Sequence, residues 1–565
     1  MRKLICDKKK YMLPVIHFIL SFFYERSIFL FEEDKDIILS IPRNHIISDA
    51  AERVMGYMIS KLFAAVMIFF LWYLLFWIIE NWKFKRNIRF FFCFFVICLA
   101  GILLLWPEPF TISADNYITY SYAIRFWPEY WHSAYTSCMY AAMLMVVPSP
   151  VFITVFQLIF GFFVLGYLYN RMADSPVFKG KGKYCVFLVF LMPGVYTLFT
   201  NAYRTELYAL LCMFIVAMTA MDIVDRKERG TCSLICNIIL CGFISVWRTE
   251  GIILGFLLFI VQLIFIYKYR PIKSIFLFLC MVMTFGTFFV PQKLGDIKYY
   301  GKDYSFINSF PVLKNILCSG ISYEGAGDDL TALNAVVPWE AIRYYGMDGY
   351  RRYNYASGRK DINQSLASDA TASAYMKAYY RMVLQNLPVY AKTQASMLLK
   401  AIMVIENEYV LGCDRPPDPD LQPWTLESWD IGREDLENER LVEAWMNAEI
   451  HQRFSAFALK GINKIESLFR KIYFYSLILI LIPIFEIYLF FKEGIRLIKR
   501  KKNLFGLAGI AFLLLGQAAA IALVMPAGVL VYFHAYYYCS FILCLIYVNC
   551  LRCGDVQGSR QDGNL

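Results

Sequence analysis

Long apolar runs alternate with short polar intervals along most of this 565-residue chain. The runs cover residues 57–79, 88–106, 151–169, 184–199, 207–223, 232–246, 251–267 and 274–290, then 472–491, 504–524 and 529–549. Most approach the roughly 20 mainly apolar residues that an α-helix needs to cross a bilayer. An earlier stretch, 11–31, follows a basic amino-terminal run and is interrupted by Glu25 and Arg26. No small-residue cleavage site follows it, which argues for a membrane span over a signal peptide. The pattern predicts an all-α polytopic membrane protein of about 11–12 transmembrane helices, with a large, mainly helical extracytoplasmic region between late spans. Its parts are an amino-terminal segment, 1–56; a transmembrane bundle, 57–290, whose first outer loop is 107–150; the outer region, 291–470; and the last spans with a short tail, 471–565. Within the outer region, 372–403 is amphipathic and breaks at Pro388.

Charge gives the orientation. Lys and Arg recur in alternate intervals, at 83–86, 171–183, 225–229, 268–273 and 492–502. The positive-inside rule puts these five in the cytoplasm. The 107–150 loop, the two ArgThrGlu turns at 204–206 and 248–250, and the 291–470 interval then face outward. A cytoplasmic carboxyl end and a basic amino-terminal run require an even number of spans, so 11–31 counts as the first. Composition agrees: 59% of residues are hydrophobic and the mean hydropathy is +0.48, well above a soluble globular chain. The net charge of +11 would suit nucleic acid, but its placement between apolar runs excludes that partner and fits a lipid bilayer. Most of the sixteen cysteines sit inside apolar runs, and the CxxC at Cys550 and Cys553 has no second pair to complete a metal-ligand set, so neither a zinc site nor a disulfide framework is expected. A pairing of outer cysteines such as Cys318 and Cys413 is left open.

Three places carry candidate chemistry. Asp115 stands in the first outer loop among aromatic residues, with Glu108, Glu129 and His132 nearby. A carboxylate just beyond a helix end can take the proton of a hydroxyl nucleophile. The apolar segment 135–147 of that loop reads as a helix lying along the membrane surface. The ArgThrGlu turns come next. A guanidinium offers phosphate a planar fork, so Arg204 and Arg248 are candidate phosphate ligands, with Glu206 and Glu250 holding them in place. Third, the last outer hairpin, 525–538, carries His534 in a tyrosine cluster; an interfacial aromatic belt explains the tyrosines equally well, and a structural role is expected for the histidine. The acidic positions Glu324, Asp328, Asp329, Glu406, Glu408, Asp414, Asp418 and Asp420 lack calcium-loop spacing and read as a solvated surface. Asn363 opens a glycosylation triplet. No P-loop and no GxGxxG opening a helix occurs, which leaves ATP-driven transport and a nucleotide-sugar donor without support. An outward-facing enzyme then needs a donor that already resides in the membrane.

With Asp115 in SerAlaAspAsnTyr at 113–117, a surface helix at 131–147 and later outer charges at 204–206 and 248–250, residues 1–290 resemble the GT-C type polytopic glycosyltransferases that use polyprenyl-phosphate sugars. The last three spans match more loosely. The resemblance implies an inverting transfer to an acceptor hydroxyl on a glycan, lipid or protein. The donor phosphate would lie at Arg204 or Arg248 and Asp115 would act as base. Many relatives pair two acidic residues in the first loop, whereas Asn116 follows Asp115 here. A second carboxylate would come from Glu108 or Glu129. The sequence fixes no cofactor, and a divalent cation, Mg2+ or Mn2+, stays open. The place implied is a bacterial plasma membrane with the site facing out. A polysaccharide polymerase or ligase is the neighbouring alternative. A transporter or flippase of lipid-linked glycans is the more distant one, and would call for charges at mid-membrane depth and broken helices.

Overall fold

A computed structural model describes residues 2–29, 49–82, 86–105, 114–128, 133–175, 178, 182–200, 204–225, 230–248, 250–266, 271–300, 309–336, 369–404, 449–498, 504–525, 528 and 530–561. Among these residues every regular element is helical. Among the described residues seven helices are long and apolar enough to cross a membrane: Ala50–Asn81, Val151–Asp174, Arg204–Asp225, Ile272–Gly295, Phe474–Ile498, Phe505–Val524 and Leu530–Leu551. Six shorter apolar helices join them, at Tyr11–Glu25, Asn87–Ile102, Ala134–Val146, Gly182–Leu191, Ser233–Trp247 and Gly251–Ile264. The chain is therefore a multi-pass, all-α membrane protein.

In chain order the helices are α1 (Arg2–Ile28), α2 (Asp49–Asn81), α3 (Arg86–Leu105), α4 (Ala114–Ile124), α5 (Ala134–Val146), α6 (Val151–Asp174), α7 (Val195–Thr200), α8 (Arg204–Asp225), α9 (Thr231–Trp247), α10 (Gly251–Ile266) and α11 (Pro271–Tyr300). They continue as α12 (Phe310–Ser319), α13 (Ala326–Asn334), α14 (Asp369–Gln385), α15 (Leu387–Ala401), α16 (Glu449–Lys471), α17 (Phe474–Ile498), α18 (Phe505–Val524) and α19 (His534–Gln561). Two 3-10 segments, Gly182–Leu191 and Leu530–Phe533, interrupt the series.

The centre of the bundle is α8. It is buried almost throughout and packs on α6, α9, α10, α18 and, most extensively, α19. Helices that are apolar on every side belong in such a position. Between helices in lipid the hydrophobic drive is weak, and packing and interhelical hydrogen bonds take over. One such network is buried here. Asn237 Nδ2 donates to Gln262 Oε1 at 2.9 Å, and Gln262 Nε2 donates to the Thr219 hydroxyl, linking α9, α10 and α8.

The amino-terminal helix joins this bundle through its charges. Glu25, which interrupts the apolar run in the sequence, forms a buried ion pair with Lys61 of α2. Tyr57 Oη donates to the same carboxylate at 3.1 Å and Lys61 Nζ donates to Ser21 Oγ at 2.8 Å. An intramembrane charge is tolerated when a partner helix satisfies it in this way.

Two expectations change. The first-loop segment forms α5, which is not a surface helix: nearly every residue from Ala134 to Val146 is buried, against α1, α2, α4 and α6. It has no polar face to offer water, so burial on all sides is its stable placement. The 184–199 run is not one continuous helix. It is the 3-10 segment Gly182–Leu191, a break at 192–194, and α7. Gly194 takes φ 70°, a region open to glycine at little cost. The freed backbone is met by side chains, with Tyr538 Oη donating to Pro193 O at 3.0 Å and Gln157 Nε2 to Leu198 O at 3.0 Å.

Helices α12 to α15 enclose a second, smaller core of Val312, Leu313, Ile316, Leu333, Val336, Tyr375, Ala378 and Met382. The break anticipated near Pro388 falls at Asn386, between α14 and α15. Helix α15 ties this unit to the bundle: Met397, Ala401 and Ile402 belong to the main core, and Tyr390 Oη donates to Leu523 O at 2.7 Å. Cys318 is exposed on α12, and Cys413 and Asn363 lie outside the described residues.

Candidate functional site

The bundle has two chemically distinct ends. At one, the basic connections are held by local polar contacts. Arg171 pairs with Asp225 at 2.8 Å and Asp222 at 3.2 Å, and Lys183 Nζ donates to Asn87 Oδ1 at 2.9 Å. Buried Glu493 there accepts from Tyr547 Oη at 2.6 Å, Arg496 Nη1 at 2.9 Å and the Leu504 amide at 2.7 Å. At the other end, both ArgThrGlu turns meet the last hairpin.

That meeting is built from four helix ends. Arg204 opens α8, Trp247 closes α9 and Gly251 opens α10, and His534 opens α19. Trp247 is fully buried, and its indole Nε1 donates to Arg204 O at 2.8 Å. Arg248 Nη1 donates to Thr205 Oγ1 at 2.5 Å, and its guanidinium lies near the rings of Tyr208, at 6.0 Å, and Tyr532, at 5.9 Å. The Tyr208 hydroxyl accepts in turn from Gln517 Nε2 of α18 at 3.0 Å. The α9–α10 turn is tight because residue 251 has no side chain: a Cβ there would stand 1.9 Å from Ile244 O.

The two turns use their glutamates differently. Glu250 holds Arg248, as its place in the turn permits. Glu206 does not hold Arg204. Both lie in the first turn of α8, where residues two apart point to different sides. The Glu206 carboxylate instead faces His534, with Nδ1 3.2 Å from Oε1 and the two side chains 0% and 1% exposed. Neither Glu206 Oε2 nor His534 Nε2 has a hydrogen-bond partner among the described residues. Thus Arg248 and His534 meet adjacent residues of α8, and side chains from two distant segments converge on one helix start. The helix dipole favours an anion at that start.

Of the first-loop residues, Asp115 lies on the first turn of α4, with its side chain outside the description; Glu108, Glu129 and His132 lie outside the described residues. Helix α4 packs on α5. From α5 an aromatic path leads to the turns: Tyr135 to Phe243 at 6.1 Å, then Phe243 to Trp247 at 4.9 Å. The start of α5 is also fixed to α11, through Ala134 N to Gln292 Oε1 at 2.9 Å and Tyr135 Oη to Phe288 O at 2.9 Å. Among the described residues no three of His, Cys, Asp and Glu gather as a metal site.

Sequence reading alone misses the Glu206–His534 pair and the two rings beside Arg248. One signal pointed to Glu206, since a carboxylate at membrane depth needs a partner, but nothing local named His534 as that partner. Comparison with protein-family profiles, curated proteins and solved structures finds no match to this chain in any of the three.

Proposed function

We propose that the protein is a membrane glycosyltransferase of about twelve spans. It would move a sugar from a polyprenyl-phosphate donor to an acceptor hydroxyl on the extracytoplasmic face, with inversion. The observation that carries this reading is the convergence of the two ArgThrGlu turns and the last hairpin at the end opposite the basic connections. Arg248, held between Thr205 and Glu250, and Arg204, whose carbonyl is fixed by Trp247, are the donor-phosphate ligands. A guanidinium fixed before the reaction stabilises charge as it develops on the leaving phosphate without reorganising. Asp115, on the helix adjoining α5, takes the acceptor proton, with Glu108, Glu129 and His132 as further acceptor contacts. The lipid chain of the donor lies among the spans, so no soluble nucleotide domain is required. The setting is a bacterial plasma membrane, with glycan, lipid or protein as acceptor.

The test is sugar transfer in purified membranes with a panel of radiolabelled polyprenyl-phosphate sugars. Wild type is expected to transfer one of them. Asp115→Asn is expected to lose about 100-fold or more, the scale of a removed general base. Arg248→Ala is expected to weaken donor use more than Arg248→Lys, which keeps charge and loses the fork. Transfer that survives Asp115→Asn moves the base elsewhere in the loop. Turnover only with a long glycan on the lipid would favour a polymerase or ligase.

A second reading has its own observations. Glu486 lies midway along α17 and is fully buried, and the 182–200 segment is interrupted. A mid-span carboxylate and a broken helix are features of transporters. Flux of a lipid-linked glycan in proteoliposomes, abolished by Glu486→Gln while transfer is absent, would favour it.

A further inference from the structure

We propose that His534 is a further catalytic residue of the transfer reaction and that Glu206 is its positioning residue; the inference rests on the glycosyltransferase reading above. Both side chains are buried, at 1% and 0% exposure. Burying two such groups costs several kcal/mol of solvation unless their polar atoms are met. Here Nδ1 stands 3.2 Å from Oε1 without hydrogen-bond geometry, and all four atoms, Nδ1, Nε2, Oε1 and Oε2, lack a hydrogen-bond partner among the described residues. A carboxylate beside one ring nitrogen leaves the other nitrogen for a ligand. The edge of the ring is set by Tyr538, whose plane is at 89° with centroids 5.9 Å apart.

The position of this open nitrogen selects its ligand. His534 faces Glu206, and Arg248 donates to Thr205, the neighbour of Glu206 in the chain. The imidazole therefore shares the end of α8 with the guanidinium assigned to the donor phosphate. In the reaction the acceptor oxygen bonds to the anomeric carbon, and the bond from that carbon to the phosphate oxygen breaks with its electron pair going to phosphate. Asp115 takes the hydroxyl proton. His534, as imidazolium balanced by the Glu206 carboxylate, donates from Nε2 to the phosphate oxygen that gains charge. The proton on Asp115 and the vacancy on His534 are then made good through solvent, so protons and charge balance.

The experiment uses the full-length protein in nanodiscs with 15N-labelled histidine and farnesyl phosphate as the probe. The signal of His534 is assigned by its loss in His534→Gln. Should that variant not fold, it is assigned by its persistence when His17, His45, His132 and His451 are replaced. Farnesyl phosphate is expected to move both ring nitrogens of His534 to the imidazolium position. Glu206→Gln is expected to abolish that signature while the probe still binds. In transfer, His534→Gln is expected to fall about 100-fold, and Glu206→Asp to recover more activity than Glu206→Gln. Probe binding that depends on Arg248 but leaves the His534 signal unmoved would overturn the catalytic histidine and keep the phosphate site. No binding of the probe to the wild type would overturn the underlying reading as well.

Discussion

Glu486 shows what a single buried carboxylate requires. It is 0% exposed on α17 and its Oε2 accepts from Tyr536 Oη of α19 at 2.8 Å. Glu493, one helical stretch further, is as deeply buried but has three donors. Removing one donor leaves Glu493 two others, whereas Glu486 loses its described hydrogen bond. Leaving a buried acceptor without its partner costs about 1–3 kcal/mol. Tyr536→Phe is therefore expected to lower stability by about that amount and Tyr547→Phe by less, measured as thermal unfolding of the two purified variants side by side. Gly251 makes a sharper case. Its Ile244 contact leaves no room for a methyl group, so Gly251→Ala is expected to pry α9 from α10 and displace Arg248. A folded variant with normal transfer would show that the turn does not hold the site. Residue identity alone marked Arg248, Glu250 and Arg204 as interesting, because charge at an apolar edge is conspicuous. It could not mark Glu206 with His534, since no local pattern links residues more than three hundred positions apart.

At the level of elements, long apolar helices were the most legible, because length and hydropathy both have a bilayer to match. Short ones were not. A 13-residue apolar segment has the same sequence signature whether it lies on a surface or fills a core, and α5 fills the core. Helix α16 is a contrasting case. Phe457, Ile465 and Leu468 fall on one side, Arg453 and Lys460 flank its edge, and Asn463 falls opposite. Phe457 is 79% exposed, and the helix packs on α3 and α17. This pattern suits a helix lying in the headgroup layer. Spin labels at 465 and 463, about 160° apart around the helix, are expected to report different depths, the first inside the acyl boundary and the second in water; equal depths would refute the placement. In the smaller core, Tyr323 Oη donates to Asp329 Oδ2 at 2.6 Å, and Arg381 pairs with the same carboxylate at 3.4 Å. Burial first, and then Asp329, raises the Tyr323 phenol above its usual value of 10.0. A group raised in the folded state stabilises it fully below its unfolded value, and that contribution is lost as pH climbs beyond. The α13–α14 unit should thus loosen above pH ~10, and Tyr323→Phe should remove that dependence; tyrosine absorbance against pH reads both.

For the whole molecule, the alternation of basic and non-basic intervals foresaw the two-ended character of the bundle. Arg171, Lys183 and Arg496 gather at one end and the ArgThrGlu turns at the other. Cysteines placed singly at the exposed positions 230 and 322 are expected to react with impermeant thiol reagents from opposite sides of sealed vesicles. Labelling from one side would break the proposed orientation. What the linear pattern left open was how the α12–α15 unit meets the bundle. That depends on α15 and on Gly528, whose backbone lies against Met397 and Lys400, a fit with no signature in either segment alone.

The pairing of Glu206 with His534 also sets a timetable for making the protein. Roughly 330 residues separate the two positions, and ribosomes add about 5–20 residues per second. For some tens of seconds after α8 is inserted, its buried carboxylate exists without the histidine that will face it. A lone acid in the middle of a newly inserted helix would invite expulsion or degradation. At the first turn of α8 it can wait in the headgroup layer, hydrated and favoured by the helix start, until the last hairpin is translated and closes over it. The Glu206–His534 pairing thus forms only in a chain whose translation has run through α19.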